Sequence, residues 1–157
     1  MSEFKTNAMR ILDKNHIEYI SHQYICNDGA IDGISVASKM NLPFEKVYKT
    51  LVTIGASKEL FVYVIPVADE LNLKAAAKIV GEKSIEMIKV SDINKYTGYI
   101  RGGCSPIGMK KQYKTVISSK AKEQSTIVFS AGKIGHQIEM QPTALAELIG
   151  AVFADVT

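Results

Sequence analysis

The stretch around which this sequence is organised is Gly102-Gly103-Cys104-Ser105-Pro106-Ile107-Gly108, which precedes a lysine-rich segment. Three glycines and a proline within seven residues exclude a helix or a regular strand, because glycine admits positive φ and proline lacks an N–H donor. Such a loop can line a pocket with backbone N–H groups, which suit a carbonyl, a carboxylate or a phosphate. A tight turn between two strands is the alternative that composition leaves open.

Length and composition bound the class of protein. The chain has 157 residues, of which 46% are hydrophobic and 22% charged, with a net charge of +3 and two cysteines. These values predict one globular domain, residues 1–157, with reduced thiols. Residues 1–5 are polar, and no apolar run reaches the roughly 20 residues of a membrane span. We therefore expect a cytoplasmic protein with no membrane partner.

Outward from the loop, strand patterns alternate with helix patterns. The helix patterns place Asp69 and Glu70 in a first turn, where the helix dipole favours acidic side chains. Hairpins mixed with helix-separated strands predict an α+β fold with a mixed, curled sheet rather than a doubly wound parallel sheet. The strand patterns cover residues 17–25, 47–54, 60–67, 85–88, 114–117, 125–129, 137–140 and 152–154, and the helix patterns cover residues 6–15, 35–40, 69–80, 91–96 and 141–149.

Lys49 is the candidate site residue that the strand pattern singles out. Alternation along the strand puts Lys49 on the same face as Val47 and Leu51, which predicts that its side chain points inward. A lysine in that position costs free energy unless it has a partner or a pocket, where it can hold an anion or polarise a carbonyl. A lysine that reaches solvent from an edge strand is the alternative.

The other reactive side chains give weaker signals. Cys104 could act as a nucleophile, but no histidine or acid is close in sequence, and a buried inert thiol is the more common case. Tyr24 ends a strand pattern and could direct its hydroxyl into a site, although a core tyrosine is the simpler interpretation. The histidines and cysteines show no metal-ligand spacing, so we expect no metal and no cofactor.

Lysines concentrate in the C-terminal half of the chain, around the first loop and a second glycine-rich turn, Ser130-Ala131-Gly132-Lys133-Ile134-Gly135. A basic rim on a glycine-lined pocket suits a phosphate-bearing ligand such as an RNA end, and a solvated surface is the alternative. The lysines in question are Lys110, Lys111, Lys114, Lys120, Lys122 and Lys133.

Five segments carry a resemblance to a known family. In order they are VYKTLV at 47–52, LNLKAA at 71–76 followed by Gly81, TGYIRGGCSPIG at 97–108, SAGKIG at 130–135 and ADV at 154–156. Together they resemble the YbaK/EbsC family of aminoacyl-tRNA deacylases, relatives of the editing domain inserted in bacterial prolyl-tRNA synthetases. The resemblance implies a mixed, barrel-like sheet flanked by helices.

The same resemblance implies an activity, the removal of a wrong amino acid from tRNA. In the YbaK subgroup the expected substrate is cysteine mischarged on tRNA(Pro), with other Cys-tRNAs also possible. The substrate's own thiol is expected to attack the ester carbonyl, giving a cyclic thiolactone and free tRNA. That chemistry needs no nucleophile from the enzyme and leaves Cys104 as a variable loop residue. The implied partners are the 3′ end of aminoacyl-tRNA and a prolyl-tRNA synthetase.

Carried over by position, the resemblance also assigns site residues. Lys49 is expected to contact the terminal adenosine or its phosphate, and Tyr24 to shape the site. The backbone of Gly102 and Gly103 is expected to hold the aminoacyl carbonyl. The expected substrate-binding residues are Ser105, Pro106, Gly108, Ser130 and Gly132.

Three positions bear on specificity. Ser130 favours the cysteine-specific branch, since alanine-clearing relatives often carry His there. The chain departs from the family pattern at Ala131, where glycine is usual, and at Gln137, where some relatives carry an acid. Three alternatives stay open: a deacylase for alanine or serine on tRNA(Pro), which needs an activated water; a non-catalytic module that binds tRNA or the synthetase; and a thiol enzyme that uses Cys104.

Overall fold

The structure is a computed structural model that describes residues 4–157. Residues 1–3, part of the polar N-terminal segment, lie outside the described residues. The α-helices are α1 (Asn7–Lys14), α2 (Gly33–Lys39), α3 (Leu73–Val80), α4 (Ile93–Thr97) and α5 (Pro142–Ile149). The strands are β1 (Ile20–Gln23), β2 (Tyr48–Gly55), β3 (Leu60–Pro66), β4 (Ile85–Met87), β5 (Lys114–Ser118), β6 (Ile127–Lys133), β7 (His136–Met140) and β8 (Val152–Ala154).

The strands form two sheets that meet at one edge of β2. Their orders are β1-β7-β6 and β4-β2-β3-β5-β8. A parallel bridge between Val47 and Val128 joins the start of β2 to β6, whereas β4 pairs with β2 only from Thr53 to Gly55. In the described part of the chain no strand pairs with this edge of β2 between those two points. We call the interval, residues 49–52, the seam gap.

This topology confirms the α+β class and the mixed, curled sheet flanked by helices. β2 and β3 are antiparallel, while β3, β5 and β8 are parallel. The barrel-like sheet implied by the resemblance does not close, because β1 pairs with β7 alone and β8 with β5 alone within residues 4–157.

The main core lies between the two sheets. Phe129 and Ile138 from the smaller sheet and Ile117 from the larger one pack there with Met9 and Leu12 of α1. Burying each such large apolar side chain contributes roughly 1.5–3 kcal/mol. Because strand side chains alternate, the opposite face of β6 and β7 carries Val128 and the polar residues Ser130, Gln137 and Glu139. α2 lies over that face, where its Ala37 contacts the Val47–Val128 bridge.

Capping side chains set where the first two helices begin. The Thr6 hydroxyl accepts the N–H of Met9 at 3.2 Å, and Asp32 accepts the N–H of Ser35 at 3.0 Å. The first cap confirms the predicted start of α1. The second starts α2 at residue 33, two residues before the predicted start.

The predicted start of α3 is wrong. The side chain of Asn72 accepts the N–H of Ala75 at 3.0 Å, so the helix begins at residue 73 rather than 69. Asp69 and Glu70 therefore lie outside the first turn, and the helix dipole does not explain them. The Asp69 carboxylate instead pairs with Lys120 at 2.7 Å.

Three other predicted boundaries change. β1 covers residues 20–23 of the predicted 17–25, and the helix predicted at 91–96 is a 3-10 turn followed by α4. β6 runs to Lys133 with a register shift after Ser130. The predicted turn at 130–135 therefore narrows to Ile134 and Gly135, which join β6 to β7.

Candidate functional site

A cavity of about 320 Å³ lies at the seam gap, and we call it the seam cavity. It forms where β2 and β6 separate beyond the Val47–Val128 bridge. Its volume falls within the roughly 300–1,000 Å³ of ligand pockets. The glycine loop lines it, so the pocket interpretation of that loop is confirmed. The polar and glycine residues among its lining are Asp32, Gly33, Tyr48, Lys49, Thr50, Arg101, Gly102, Cys104, Ser130 and Gln137.

Lys49 lines the cavity and is half-buried, as its strand pattern predicts. No acidic side chain in residues 4–157 lies within ion-pair distance of its ammonium group. Arg101 supplies a second cation, and Asp32 supplies a carboxylate. The hydrogen bond from the Ser35 N–H lowers the pKa of Asp32, so this carboxylate stays ionised at neutral pH. The cavity thus offers charges of both signs to a ligand.

Three oxygen atoms among the lining residues are buried without a partner in residues 4–157: the Tyr48 hydroxyl, Oγ1 of Thr50 and Oε1 of Gln137. Gln137 is 5% exposed, and neither its Oε1 nor the Oγ1 of Thr50 has a hydrogen-bond partner within the described residues. A buried polar group left unpaired costs about 1–3 kcal/mol, which marks both atoms as candidates to meet a ligand. Ser130, the cross-strand neighbour of Gln137, accepts the N–H of Gly132 at 3.1 Å.

Glycine is required where the loop closes one wall of the cavity. Gly102 has φ +83°, and a Cβ there would lie 2.8 Å from Cδ1 of Ile31. At Gly103 a Cβ would lie 3.2 Å from the backbone nitrogen of Ile134. The loop is therefore held between the segment that precedes α2 and the β6–β7 turn.

Four of the expected substrate-binding residues do not line the cavity. The hydroxyl of buried Ser105 accepts the N–H of Ile107 at 3.2 Å, which shapes the loop from within. Tyr99 donates to the carbonyl of Ile107 at 2.5 Å, and its side chain fills the space beside two of the glycines. The four residues outside the cavity lining are Ser105, Pro106, Gly108 and Gly132. The contacts of Ser105, Gly108 and Gly132 support the loop rather than the cavity.

Tyr24 lies in a separate cavity of about 330 Å³ beside the β6–β7 turn, with Cys26 and His136. It is buried, and its hydroxyl has no partner among residues 4–157. Its N–H donates to the carbonyl of Gly135 at 3.0 Å. The structure does not bring Tyr24 among the residues that line the seam cavity, so its role stays a prediction.

Cys104 lines the seam cavity as a neutral thiol. Burial raises the pKa of this thiol to about 12, against the opposing effect of a hydrogen bond with Thr97. Because the thiolate is the nucleophilic form, this environment disfavours covalent catalysis by Cys104. Cys104 and Cys26 are both free, which agrees with the prediction of reduced thiols.

The predicted basic rim is wrong for this cavity, because none of the six lysines lines it. Lys120 pairs with Asp69, and Lys133 lies 4.8 Å from the ring centroid of Phe4. The cavity's cations are Lys49 and Arg101, and sequence reasoning missed the second. Its position directly before the loop was the available signal.

Beyond the bridge, on the other side from the seam cavity, Glu139 is the centre of a polar cluster. His22 and Thr126 donate to its carboxylate at 2.7 and 2.5 Å, and Lys46 lies 3.3 Å away. Burial alone would raise the pKa of Glu139, but the hydrogen bonds from these three residues outweigh it and lower the pKa to about 2. A larger cavity of about 900 Å³ opens beside this cluster, without Lys49 or the glycine loop.

Residues 4–157 contain neither a metal-binding cluster nor a membrane-spanning helix. No group of three or more His, Cys, Asp or Glu side chains is arranged to hold a metal ion. None of the helices in that range has the length and apolar composition to cross a membrane.

Comparison with known proteins agrees with the resemblance. The sequence profile described as the aminoacyl-tRNA editing domain matches residues 32–148. A protein of Enterococcus faecalis with the provisional name Cys-tRNA(Pro)/Cys-tRNA(Cys) deacylase EbsC is 42% identical over 153 residues, which is 98% of this chain and 93% of that protein.

Two solved structures share the fold. The crystal structure of the hypothetical protein APE2540 has a TM-score of 0.85 at 19% identity, over 94% of this chain and 96% of its own. That of a protein provisionally described as a trans-editing enzyme for prolyl-tRNA synthetase has a TM-score of 0.80 at 17% identity, over 98% and 99%. With three quarters of its length matched by the profile, the chain belongs to the aminoacyl-tRNA editing domain family.

Proposed function

We propose that this protein is an aminoacyl-tRNA deacylase that removes cysteine from mischarged Cys-tRNA(Pro). The observation that carries the proposal is the seam cavity, where Lys49 and Arg101 face a glycine loop and no activated nucleophile is present among the described lining residues. Family membership and the name of the E. faecalis relative support the substrate class.

The cations account for binding of the tRNA end. The terminal adenosine of tRNA brings a phosphate, which suits the ammonium of Lys49 and the guanidinium of Arg101. The backbone of Gly102 and Gly103 is proposed to hold the aminoacyl carbonyl, where N–H donors would stabilise the oxyanion that develops during attack. Ser105, Pro106 and Gly108 belong to the same loop as these two glycines.

The chemical step is supplied by the substrate. The cysteinyl sulfur bonds to the carbonyl carbon, the ester bond to the ribose oxygen breaks, and the thiol proton ends on that oxygen. The products are a four-membered thiolactone and tRNA with a free hydroxyl. The attack is intramolecular in the substrate itself, so the enzyme contributes orientation: it holds the cysteinyl side chain in the conformation that brings the sulfur to the carbonyl carbon.

The test is deacylation of Cys-, Ala- and Ser-tRNA(Pro) in parallel, by the wild type and by Lys49→Ala. We expect loss of the cysteinyl ester alone and dependence on Lys49. Loss of the alanyl or seryl ester would assign the protein to an editing branch that activates water. Binding without turnover of any ester would instead support a non-catalytic module.

A prolyl-tRNA synthetase partner and a cytoplasmic location remain part of the proposal. The seam cavity has room for the aminoacyl end of a tRNA, and the net charge of +3 is small for reading a whole tRNA. Selection of tRNA(Pro) would then come from the partner. Adding the synthetase is expected to raise the rate on Cys-tRNA(Pro) over Cys-tRNA(Cys), and an unchanged ratio would remove the partner from the proposal.

A further inference from the structure

The seam cavity holds hydrogen-bond acceptors that the proposed function leaves without a role. Lys49 and Arg101 suit the phosphate of the tRNA end. The buried Oε1 of Gln137 does not, because an amide oxygen only accepts hydrogen bonds; the Thr50 hydroxyl, also buried and unpaired, can either donate or accept. Both residues line the same cavity as the cations. A donor on the ligand would pair with the Gln137 oxygen and can also pair with the Thr50 hydroxyl.

Gln137 is held where it is by its neighbours in the smaller sheet. It lies on the middle strand, β7, between Ser130 of β6 and His22 of β1. His22 donates its Nε2–H to Glu139 at 2.7 Å, and Ser130 accepts from Gly132, so both neighbours have other partners. The Gln137 Oε1 thus stays unpaired, in a residue that lines a cavity whose Asp32 carboxylate adds negative charge.

We propose that Gln137 recognises the α-ammonium group of the aminoacyl ester, with Thr50 as a second acceptor. This inference rests on the proposed function and names how the site distinguishes an aminoacyl ester from other esters. The α-ammonium is the strongest donor near the scissile bond, and its hydrogen bonds to neutral acceptors are charge-assisted.

The test uses an ester that differs from cysteinyl-tRNA(Pro) by the amino group alone. 3-Mercaptopropionyl-tRNA(Pro) keeps the thiol and the ester, so attack can still form the same ring. Each enzymatic rate is divided by the uncatalysed rate of the same ester, which removes differences in intrinsic reactivity. We expect the wild type to favour the cysteinyl ester by about 10- to 100-fold, as one charge-assisted hydrogen bond implies.

Variants assign that preference to its residues. Gln137→Met is expected to slow the cysteinyl ester and to remove most of the preference, with the mercaptopropionyl ester unaffected. Thr50→Val should reduce the preference in part, and Gln137→Glu, which keeps an acceptor, should retain it. Gln112→Met is the matched control, since Gln112 is an exposed glutamine outside the cavity.

Each outcome decides the proposal. Equal acceleration of both esters by the wild type would overturn it, and this comparison stands even if Gln137→Met fails to fold. A Gln137→Met enzyme that loses the same factor on both esters would also overturn it, since that result describes a structural role. A wild type inactive on the cysteinyl ester would instead refute the proposed function, and this inference with it.

Discussion

The Val47–Val128 bridge separates two polar regions that differ in whether their groups are paired. On one side, both carboxylate oxygens of Glu139 have partners, and the hydroxyl of Thr126 also accepts from Lys46 at 2.6 Å. On the other side lies the seam cavity, where Lys49 has no acidic partner in residues 4–157 and buried oxygens are unpaired. The two regions contain similar residue types.

The difference separates structural from functional polar groups. A buried cluster in which every polar group has a hydrogen-bond partner stabilises the junction between the sheets. Removing one member leaves a buried charge unpaired, which lowers the free energy of unfolding. Polar groups left unpaired in a cavity reduce the stability of the folded protein, and a ligand that pairs with them can offset this loss when it binds. The comparison predicts that substitutions beside Glu139 change stability, whereas substitutions in the seam cavity change activity.

The largest expected effect comes from Lys49→Met compared with Lys46→Met. Loss of the Lys49 ammonium removes a group proposed to bind the substrate, so kcat/KM on Cys-tRNA(Pro) should fall by about 10²- to 10³-fold with an unchanged melting temperature. Lys46→Met should lower the melting temperature and leave the activity of the folded protein unchanged. Equal losses of activity in the two variants would show that the bridge does not separate a structural region from a functional one.

The next effect is the stability lost in Glu139→Gln. This change weakens the bonds from His22, Thr126 and Lys46, and we expect a loss of about 2 kcal/mol in the free energy of unfolding near neutral pH. Urea denaturation of both proteins measures it. Deacylation by the folded variant should match the wild type, and a selective loss of activity would place Glu139 in the site.

The same pair of proteins gives a pH dependence. Folding lowers the pKa of Glu139 from its ordinary 4.5 to about 2. The ionised carboxylate therefore contributes fully to the free energy of unfolding above pH 4.5, and this contribution is lost as the pH falls from 4.5 to about 2. The stability difference between wild type and Glu139→Gln should therefore shrink as the pH is lowered. A difference that stays constant between about pH 5 and pH 2 would contradict the charged cluster.

A smaller effect distinguishes Gly102→Ala from Gly81→Ala. Both glycines have positive φ, +83° and +75°, so each substitution should cost about 1 kcal/mol of stability. A Cβ at residue 102 would also press on Ile31, whereas nothing lies within 4 Å at residue 81. KM should rise in Gly102→Ala alone, and equal KM values would remove the loop from the cavity wall.

The smallest effect is expected for Cys104→Ala. A thiol whose pKa is about 12 carries almost no thiolate near neutral pH, so deacylation should continue at the wild-type rate. Brief treatment of the wild type with iodoacetamide should likewise leave activity intact. Inactivation by either change would favour a thiol enzyme over attack by the substrate's sulfur.

Local patterns were sufficient to locate the glycine loop and Lys49. Alternation around Lys49 and the density of glycine and proline in residues 102–108 are properties of neighbouring residues, and the structure places both at one cavity. The start of α3 also depends on neighbouring residues. Leu71 fits the apolar stripe and led to a predicted start that is too early, whereas the side chain of Asn72 caps the N-terminus, so that the helix begins after it.

The seam gap could not be predicted, because it depends on which strands pair with each half of one edge of β2. Those pairings join residues far apart in the chain: Val47 pairs with Val128 in one half of the edge, and Thr53 pairs with Met87 in the other. The unpaired state of Gln137 follows from the same long-range arrangement, although its strand was predicted. The prediction of a basic rim was wrong because lysines that are close in sequence do not lie together around the cavity in the folded chain.

The most direct test of the central claim is to map where the tRNA end binds. A non-hydrolysable analogue, 3′-cysteinylamino-3′-deoxyadenosine 5′-phosphate, is titrated into the isotope-labelled protein while backbone amide chemical shifts are followed. We expect shifts at Lys49, Gly102 and Gln137, with His22 and Glu139 unchanged. Shifts confined to the larger cavity beside Glu139, or to the cavity that contains Tyr24, would contradict the assignment of the site to the seam gap.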